Sequence, residues 1–284
     1  MKNVEFDKRV EEMGKSFDAH ILVLDFSDPQ MMLLSYDLLS PVEVTSFAFH
    51  PENEKVIVGG CLNGQVITWD ISSNEHRAGK PGQKEENEED GQNQNGKVMK
   101  QMCMSLIEKS HKGYVSDLAF VPGTVKVDRK NDNFGKSEHF VTVSEDGWLC
   151  IWDTRNVSKE VLATNKGKPW IPFLNLQLFR LDGSPDLGIS KILFEEKQTT
   201  TTLWAGSFEG ELLMIDWAVR PTVKEGADPG DNEKQRAENV QIYYDQERNW
   251  RPVLSVERSP FYPDLVMTVH DFHFCIWKTS LPYP

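Results

Sequence analysis

This 284-residue chain lacks most of what a reactive centre or a membrane segment would need. Its four cysteines, Cys61, Cys103, Cys150 and Cys275, lie far apart with no C-x-x-C pair. That spacing suits free thiols in a reducing compartment, not a disulfide framework or a zinc site. Long hydrophobic runs are missing: the best, Ile21 to Leu24, is far too short for a signal core or a membrane span, and the N-terminus is polar and charged. Positive charge is scarce, with 31 Lys and Arg against 44 Asp and Glu and a net charge of −13. Nucleic acid and anionic membrane are therefore not the expected partners, and other proteins are. The histidines (His20, His50, His76, His111, His139, His270, His273) show no H-E-x-x-H or paired ligand spacing, and no glycine loop could cradle phosphate. No metal and no cofactor is expected.

What the chain has is a repeat. Val141 to Asp153 reads V-T-V-S-E-D-G-W-L-C-I-W-D, two short apolar strands joined by the tight turn Asp146-Gly147. This is the body of a WD repeat, which supplies four strands to a propeller blade. Three further segments share the frame: Asn63-Gly64 leads to Trp69-Asp70, Glu209-Gly210 to Ile215-Asp216, and Asp271-Phe272 to Trp277-Lys278. In every copy five positions separate the second turn residue from the tryptophan position. Trp69, Asp70, Trp152, Asp153, Asp216 and Trp277 are the surviving blade signatures. The expected fold is all-β, a WD-repeat β-propeller with about four recognisable blades plus an orphan strand pair.

The second copy alone has the whole polar set of a WD repeat: His111 ahead of the blade, Ser144 at the end of one strand, Asp146 in the turn and Trp152 on the next. In the WD family that this pattern resembles, these four form a hydrogen-bonded relay, and a buried imidazole, hydroxyl and indole each require a partner. A hydrolytic triad of His111, Ser144 and Asp146 is the competing reading. It is disfavoured, because order and spacing match the relay and no oxyanion-hole turn or nucleophile elbow accompanies them.

In chain order, residues 1–18 read as an extension. His20 to Phe26 and Met31 to Tyr36 form the orphan pair, and residues 19–284 the partial propeller. The first full blade runs Val44 to Phe49, Val56 to Gly60 and Gln65 to Ile71, with Val98 to Ile107 as its outer strand. Gly59-Gly60 mark a place where a side chain would be hard to fit against the neighbouring blade or a partner backbone. Residues 72–97 carry Glu85, Glu86, Glu88, Glu89 and Asp90 among Gly, Gln and Asn, and are expected to be a disordered acidic insertion. Residues 221–238 are a second polar insertion. The repeats lie farther apart than the roughly 40–45 residues a compact WD repeat needs, and the excess is loop. The last blade, Val253 to Lys278, lacks an outer strand, so an open arc of a larger propeller is expected.

Two stretches are narrower than a generic WD pattern. Phe26-Ser27-Asp28-Pro29, with Pro41-Val42-Glu43-Val44-Thr45 and Val58-Gly59-Gly60-Cys61-Leu62-Asn63-Gly64-Gln65-Val66 after it, resembles the axonemal dynein intermediate chains, most of all the larger intermediate chain of the two-headed inner dynein arm. So does Pro252-Val253-Leu254-Ser255-Val256-Glu257-Arg258-Ser259-Pro260-Phe261-Tyr262. The resemblance implies a non-enzymatic scaffold of the cytoskeleton in the cilium or flagellum axoneme. It would bind the tail of a dynein heavy chain and a second intermediate chain. Light-chain binding is not expected, because the family's N-terminal extension is absent. His270-Asp271-Phe272 departs from the family's Gly-Asp-Trp. A WD adaptor outside cilia, serving ubiquitin transfer or chromatin, is the alternative. Arg258, Pro260, Phe261 and Tyr262 are the candidate partner contacts, against the reading that the two rings pack between blades.

Overall fold

A computed structural model describes residues 18–28, 31–72, 97–127, 135–157, 169–178, 187–195, 198–217, 235–236, 239–243 and 251–281. The chain divides into two compact units, Met1–Glu43 with Glu75–Lys100, and Val44–Asn74 with Gln101–Pro284. Apart from their edges, the extension at 1–18 and the insertion at 72–97 lie outside the described residues.

In the first unit, β1 (Ala19–Asp28) and β2 (Met31–Ser40) form an antiparallel hairpin, longer than the expected orphan pair. The second unit begins with β3 (Val44–Phe49), β4 (Val56–Cys61) and β5 (Val66–Asp70). The stretch expected as one outer strand is divided. Its start, β6 (Lys97–Met99), runs parallel to β2 in the first unit, and β7 (Cys103–Met104) pairs antiparallel with β5 as the fourth strand of blade one.

Blade two is β8 (Val115–Phe120), β9 (His139–Ser144), β10 (Trp148–Asp153) and β11 (Leu174–Gln177). Blade three is β12 (Ile189–Leu193), β13 (Thr202–Ser207) and β14 (Leu212–Asp216), with an outer strand placed further on. Within the polar insertion at 221–238, β15 (Gln235–Arg236) is described, and it adds in parallel to β11 as a fifth strand of blade two. The outer strand of blade three is β16 (Asn239–Tyr243). Blade four is β17 (Ser255–Arg258), β18 (Leu265–Val269) and β19 (Phe274–Lys278), with no fourth strand among the described residues.

The hairpin turns follow from the sequence. Gly64, Gly147 and Gly210 hold φ of 83°, 73° and 89°, a left-handed conformation that glycine adopts without steric cost. Between blades the inner strands run side by side, β3 along β8, β8 along β12 and β12 along β17. Among the described residues no comparable packing joins β17 back to β3, and the four sheets of this unit form an open arc of WD blades.

A repeated joint holds the arc. Register shifts at Val44/Ser46, Val115/Asp117 and Ile189/Lys191 make Thr45, Ser116 and Ser190 extra residues in their inner strands. Each hydroxyl is shared between a carbonyl of its own blade and one of the next. Thr45 Oγ1 lies 3.0 Å from Gly60 O and 2.6 Å from Val115 O. Ser116 Oγ lies 3.1 Å from Val143 O and 2.5 Å from Ile189 O. Ser190 Oγ lies 3.0 Å from Gly206 O and 2.7 Å from Val253 O. The corresponding residue of blade four is Leu254.

Apolar clusters fill the spaces between blades. Val58 and Val66 meet Leu118, Phe140 and Trp152 between blades one and two. Val141, Leu149 and Ile151 meet Leu203, Leu213 and Ile215 between two and three. Trp204 and Leu212 meet Val256, Val266 and Trp277 between three and four. Approach is so close that a Cβ on Gly60 would stand 2.4 Å from Val115 Cγ1, and one on Gly206 would stand 2.4 Å from Val253 Cγ1. The expected outcome is that Gly60→Ala and Gly206→Ala each lower stability by about 1–3 kcal/mol through overpacking, read as a lower urea midpoint.

Candidate functional site

The polar relay of blade two is buried, with His111, Thr142 and Trp152 all shielded from solvent. Trp152 Nε1–H donates to Thr142 Oγ1 at 2.8 Å, and His111 Nε2 lies 2.9 Å from the same oxygen. His111 Nδ1 lies 3.2 Å from Asp146 Oδ1. Asp146 also accepts from the backbone N–H of Lys112 at 2.8 Å and of Trp148 at 3.0 Å, which ties the entry loop to the hairpin turn. His111, Asp146 and Trp152 therefore sit as the repeat implies, but the hydroxyl is Thr142 and not Ser144. The two residues point to the same side of β9, and only the reach of the indole from β10 selects between them. Ser144 Oγ lies instead 3.5 Å from the Asp146 amide.

Burial works to lower the pKa of the His111 imidazole. The Cys150 sulfur and the Asp146 carboxylate work the other way and prevail, raising it to about 10. The protonated ring donates both N–H groups, one to Asp146 and one to Thr142. Enclosed between these partners, it has no nitrogen left to act as a base towards Ser144. The cluster ties loop to blade.

Blade four carries a second relay that the sequence reading missed. Trp277 Nε1–H donates to Thr268 Oγ1 at 2.9 Å, Thr268 Oγ1 lies 3.0 Å from His270 Nε2, and His270 Nδ1 lies 3.0 Å from Arg251 O. A carbonyl only accepts, so Nδ1 carries a proton and donates it to Arg251 O. Here the histidine comes from the end of the strand itself, two residues past the threonine, where blade two has Ser144.

His270, His273 and Cys275 bring their possible ligand atoms within 4.8 Å of one another. The two imidazoles are stacked, with centroids 4.3 Å apart and planes 8° from parallel. An ion held by a ring nitrogen lies in the plane of that ring, and two stacked, nearly parallel planes share no such point. Both His270 nitrogens are also engaged. Packing accounts for this trio.

Two signature aspartates, Asp70 and Asp153, fasten the chain just after the third strand, and Asp216 instead ties the third strand of blade three to Thr201 at the entry to the second strand. Asp70 Oδ1 accepts from Ser72 N at 2.8 Å, Asp153 holds Arg155 through its amide at 2.8 Å and its guanidinium at 2.7 Å, and Asp216 accepts from Thr201 Oγ1 at 2.6 Å. Trp69, Trp152 and Trp277 are fully buried.

The candidate contact residues occupy the loop between β17 and β18. Arg258 is not free: its Nε–H donates to Pro263 O at 2.5 Å, and its guanidinium pairs with Glu195, on the loop after β12 in blade three. Ser259 Oγ accepts from the amides of Phe261 at 3.3 Å and Tyr262 at 3.1 Å. The loop is thus braced from beneath, and its rings face outward, Phe261 84% and Tyr262 63% exposed, beside an exposed Pro260. They do not pack between blades.

Antiparallel sheets in a row, tryptophan–aspartate closures and buried polar relays define a WD-repeat protein. A family model described as the WD40 domain of dynein axonemal intermediate chain 3 matches residues 1–172 and 183–283. The chain belongs to that family. It is 25% identical over 351 residues to dynein axonemal intermediate chain 3 of Danio rerio, covering 99% of this chain and 35% of the relative. It is 24% identical to the Homo sapiens protein of that name, covering 98% and 39%. Against dynein axonemal intermediate chain 2 of Homo sapiens it is 24% identical over 268 residues, covering 94% and 33%. The chain thus spans between a third and two-fifths of the length of these relatives.

The raised pKa of His111 sets a pH dependence. A group held above its unfolded value, about 6.5 for histidine, contributes stability that is complete below that pH and is lost as pH rises through the folded value of about 10. Asp146→Ala is expected to cost about 3–5 kcal/mol at neutral pH by leaving a buried charge unpaired. Urea unfolding of both proteins between these limits should show the gap closing as pH rises.

Proposed function

We propose that this chain is a non-catalytic scaffold subunit of an axonemal dynein of the inner arm, working in the axoneme of cilia or flagella. It holds the tail of a dynein heavy chain and a second intermediate chain, so that ATP hydrolysis belongs to the partner. Membership of the intermediate-chain family across nearly the whole chain carries the reading. The braced loop with its outward Phe261 and Tyr262 supports it, because exposed aromatic rings on a rigid support are typical interface anchors. Arg258 serves this surface from below, by anchoring the loop to Glu195 and Pro263.

The test is replacement of Phe261 and Tyr262 together by Ala, with heavy chain and intermediate chains quantified among the proteins that co-purify from ciliated cells. Since both rings are largely exposed, the melting temperature should stay within about 1 °C. Recovery of dynein heavy chain should fall about tenfold. Unchanged recovery would remove the loop from the interface. Recovery of ligase or histone complexes in place of dynein would instead place the protein among WD adaptors outside cilia.

A further inference from the structure

Blades one, two and three share a contact made outside their own four strands. In each, the connector between the third and fourth strands lays a short piece of main chain, in parallel, on the outer strand of the sheet before it in the chain. Between β5 and β7, β6 pairs with β2, setting Lys97 against Tyr36, Val98 against Asp37 and Met99 against Leu38. Between β10 and β11, Trp170 forms a parallel bridge with Ser105, the residue that follows β7, and the Leu106 N–H donates to Trp170 O at 3.0 Å. Between β14 and β16, β15 pairs with β11, setting Gln235 against Leu176 and Arg236 against Gln177. After the third strand of blade four the chain again touches the outer strand of the blade before it, where Tyr243 Oη–H of β16 donates to Thr279 O at 3.1 Å.

A connector that merely crossed the rim could meet it anywhere and in either direction. These three each meet an outer strand, and all run parallel to it. They are also short, and their composition is unsuited to further pairing. Lys97 opens β6 and Lys100 follows it, Pro169 and Pro172 flank Trp170, and Lys234 precedes β15, which contains Arg236. Proline offers no N–H, and lysine and arginine hold their charge in water, so neither invites another strand. The strands beneath are the reverse. β2 is ten residues long and reads M-M-L-L-S-Y-D-L-L-S, and β11 reads L-N-L-Q. The open outer edge of such a strand is a template for pairing with another chain. In blade two packing fixes the contact, since Trp170 is 6% exposed with its ring 5.0 Å from that of Trp152.

We propose that these connectors are edge guards. Each is a strap that replaces part of an apolar outer edge by a short one bearing lysine, arginine or proline, and so keeps the protein from pairing edge to edge with a second copy of itself. The polar stretches at 72–97 and 221–238 supply the chain length that two of these straps need to reach an earlier strand. The straps are separate from the Phe261–Tyr262 loop, and the proposal stands whether or not the dynein reading does.

The test uses the full chain with Val98→Pro and, separately, with Gln235→Pro and Arg236→Pro together, which remove N–H groups from two straps. Gln83→Pro and Asp231→Pro, in the same connectors but outside β6 and β15, are the controls. Amide hydrogen exchange should rise about tenfold or more at Tyr36–Leu38 in the first variant and at Leu176–Gln177 in the second, with β9 and β13 unchanged. In sedimentation each strap variant should associate as its concentration rises and return to monomer on dilution, while both controls match the parent. Lys97→Pro and Arg236→Pro alone are milder changes that serve where the first variants do not fold. Exchange that stays as in the parent would mean that the straps do not cover these edges. Faster exchange in a protein that remains monomeric at every concentration would mean that nothing is guarded. Association accompanied by faster exchange throughout β9 and β13 would be general unfolding. Each of these three results overturns the proposal.

Discussion

The joint between neighbouring inner strands governs the second unit. A single blade is one sheet with an apolar face on either side and cannot bury both by itself. Burial therefore depends on how closely the next blade approaches and whether its angle is held. Gly60 and Gly206 permit the approach by leaving room for Val115 and Val253. Thr45, Ser116 and Ser190 hold the angle by giving one hydroxyl to carbonyls of two blades at once. Apolar contact supplies most of the free energy, but it is non-directional. The hydroxyl bridges are what make the spacing repeat.

The relays depend on that spacing. Trp152 lies in the space between blades one and two, stacked on Phe140 at 6.3 Å and tilted against Trp170 at 5.0 Å. Only in so dry a setting is the His111–Asp146 contact protected from solvent competition. The relay in turn positions the loop that enters blade two, and the Arg258–Glu195 pair does the equivalent at the other end of the arc, between blades three and four. Rigid sheets thus present braced loops, which is the general arrangement by which propellers engage partners.

Much of this was legible from the residues. The recurrent five-residue step from turn to tryptophan position located the hairpin of every blade, and the expected Val56 to Gly60 and Gln65 to Ile71 lie within one residue of β4 and β5. The Gly59-Gly60 pair announced a close approach, which the contact of Gly60 with Val115 confirms. Other features were not legible, for local reasons. Thr142 and Ser144 share one face of one strand, so alternation cannot choose between them. His270 does the work of His111 from a different position, and a frame that expects histidine ahead of the blade passes over it. The run from Val98 to Ile107 is largely apolar, and the polar Lys100-Gln101 within it does not by itself show that its two halves join different sheets.

Sequence by itself determined the repeat, its turns and the family, because a type of turn or a buried tryptophan is a local demand that a few residues satisfy. Tertiary structure decided which hydroxyl meets the indole, which glycine faces a neighbouring valine, and which apolar residues remain uncovered. Leu149 and Phe274 hold equivalent places in their strands, yet one is buried and the other exposed. Burial belongs to the pair of surfaces that meet, and a strand does not encode its neighbour.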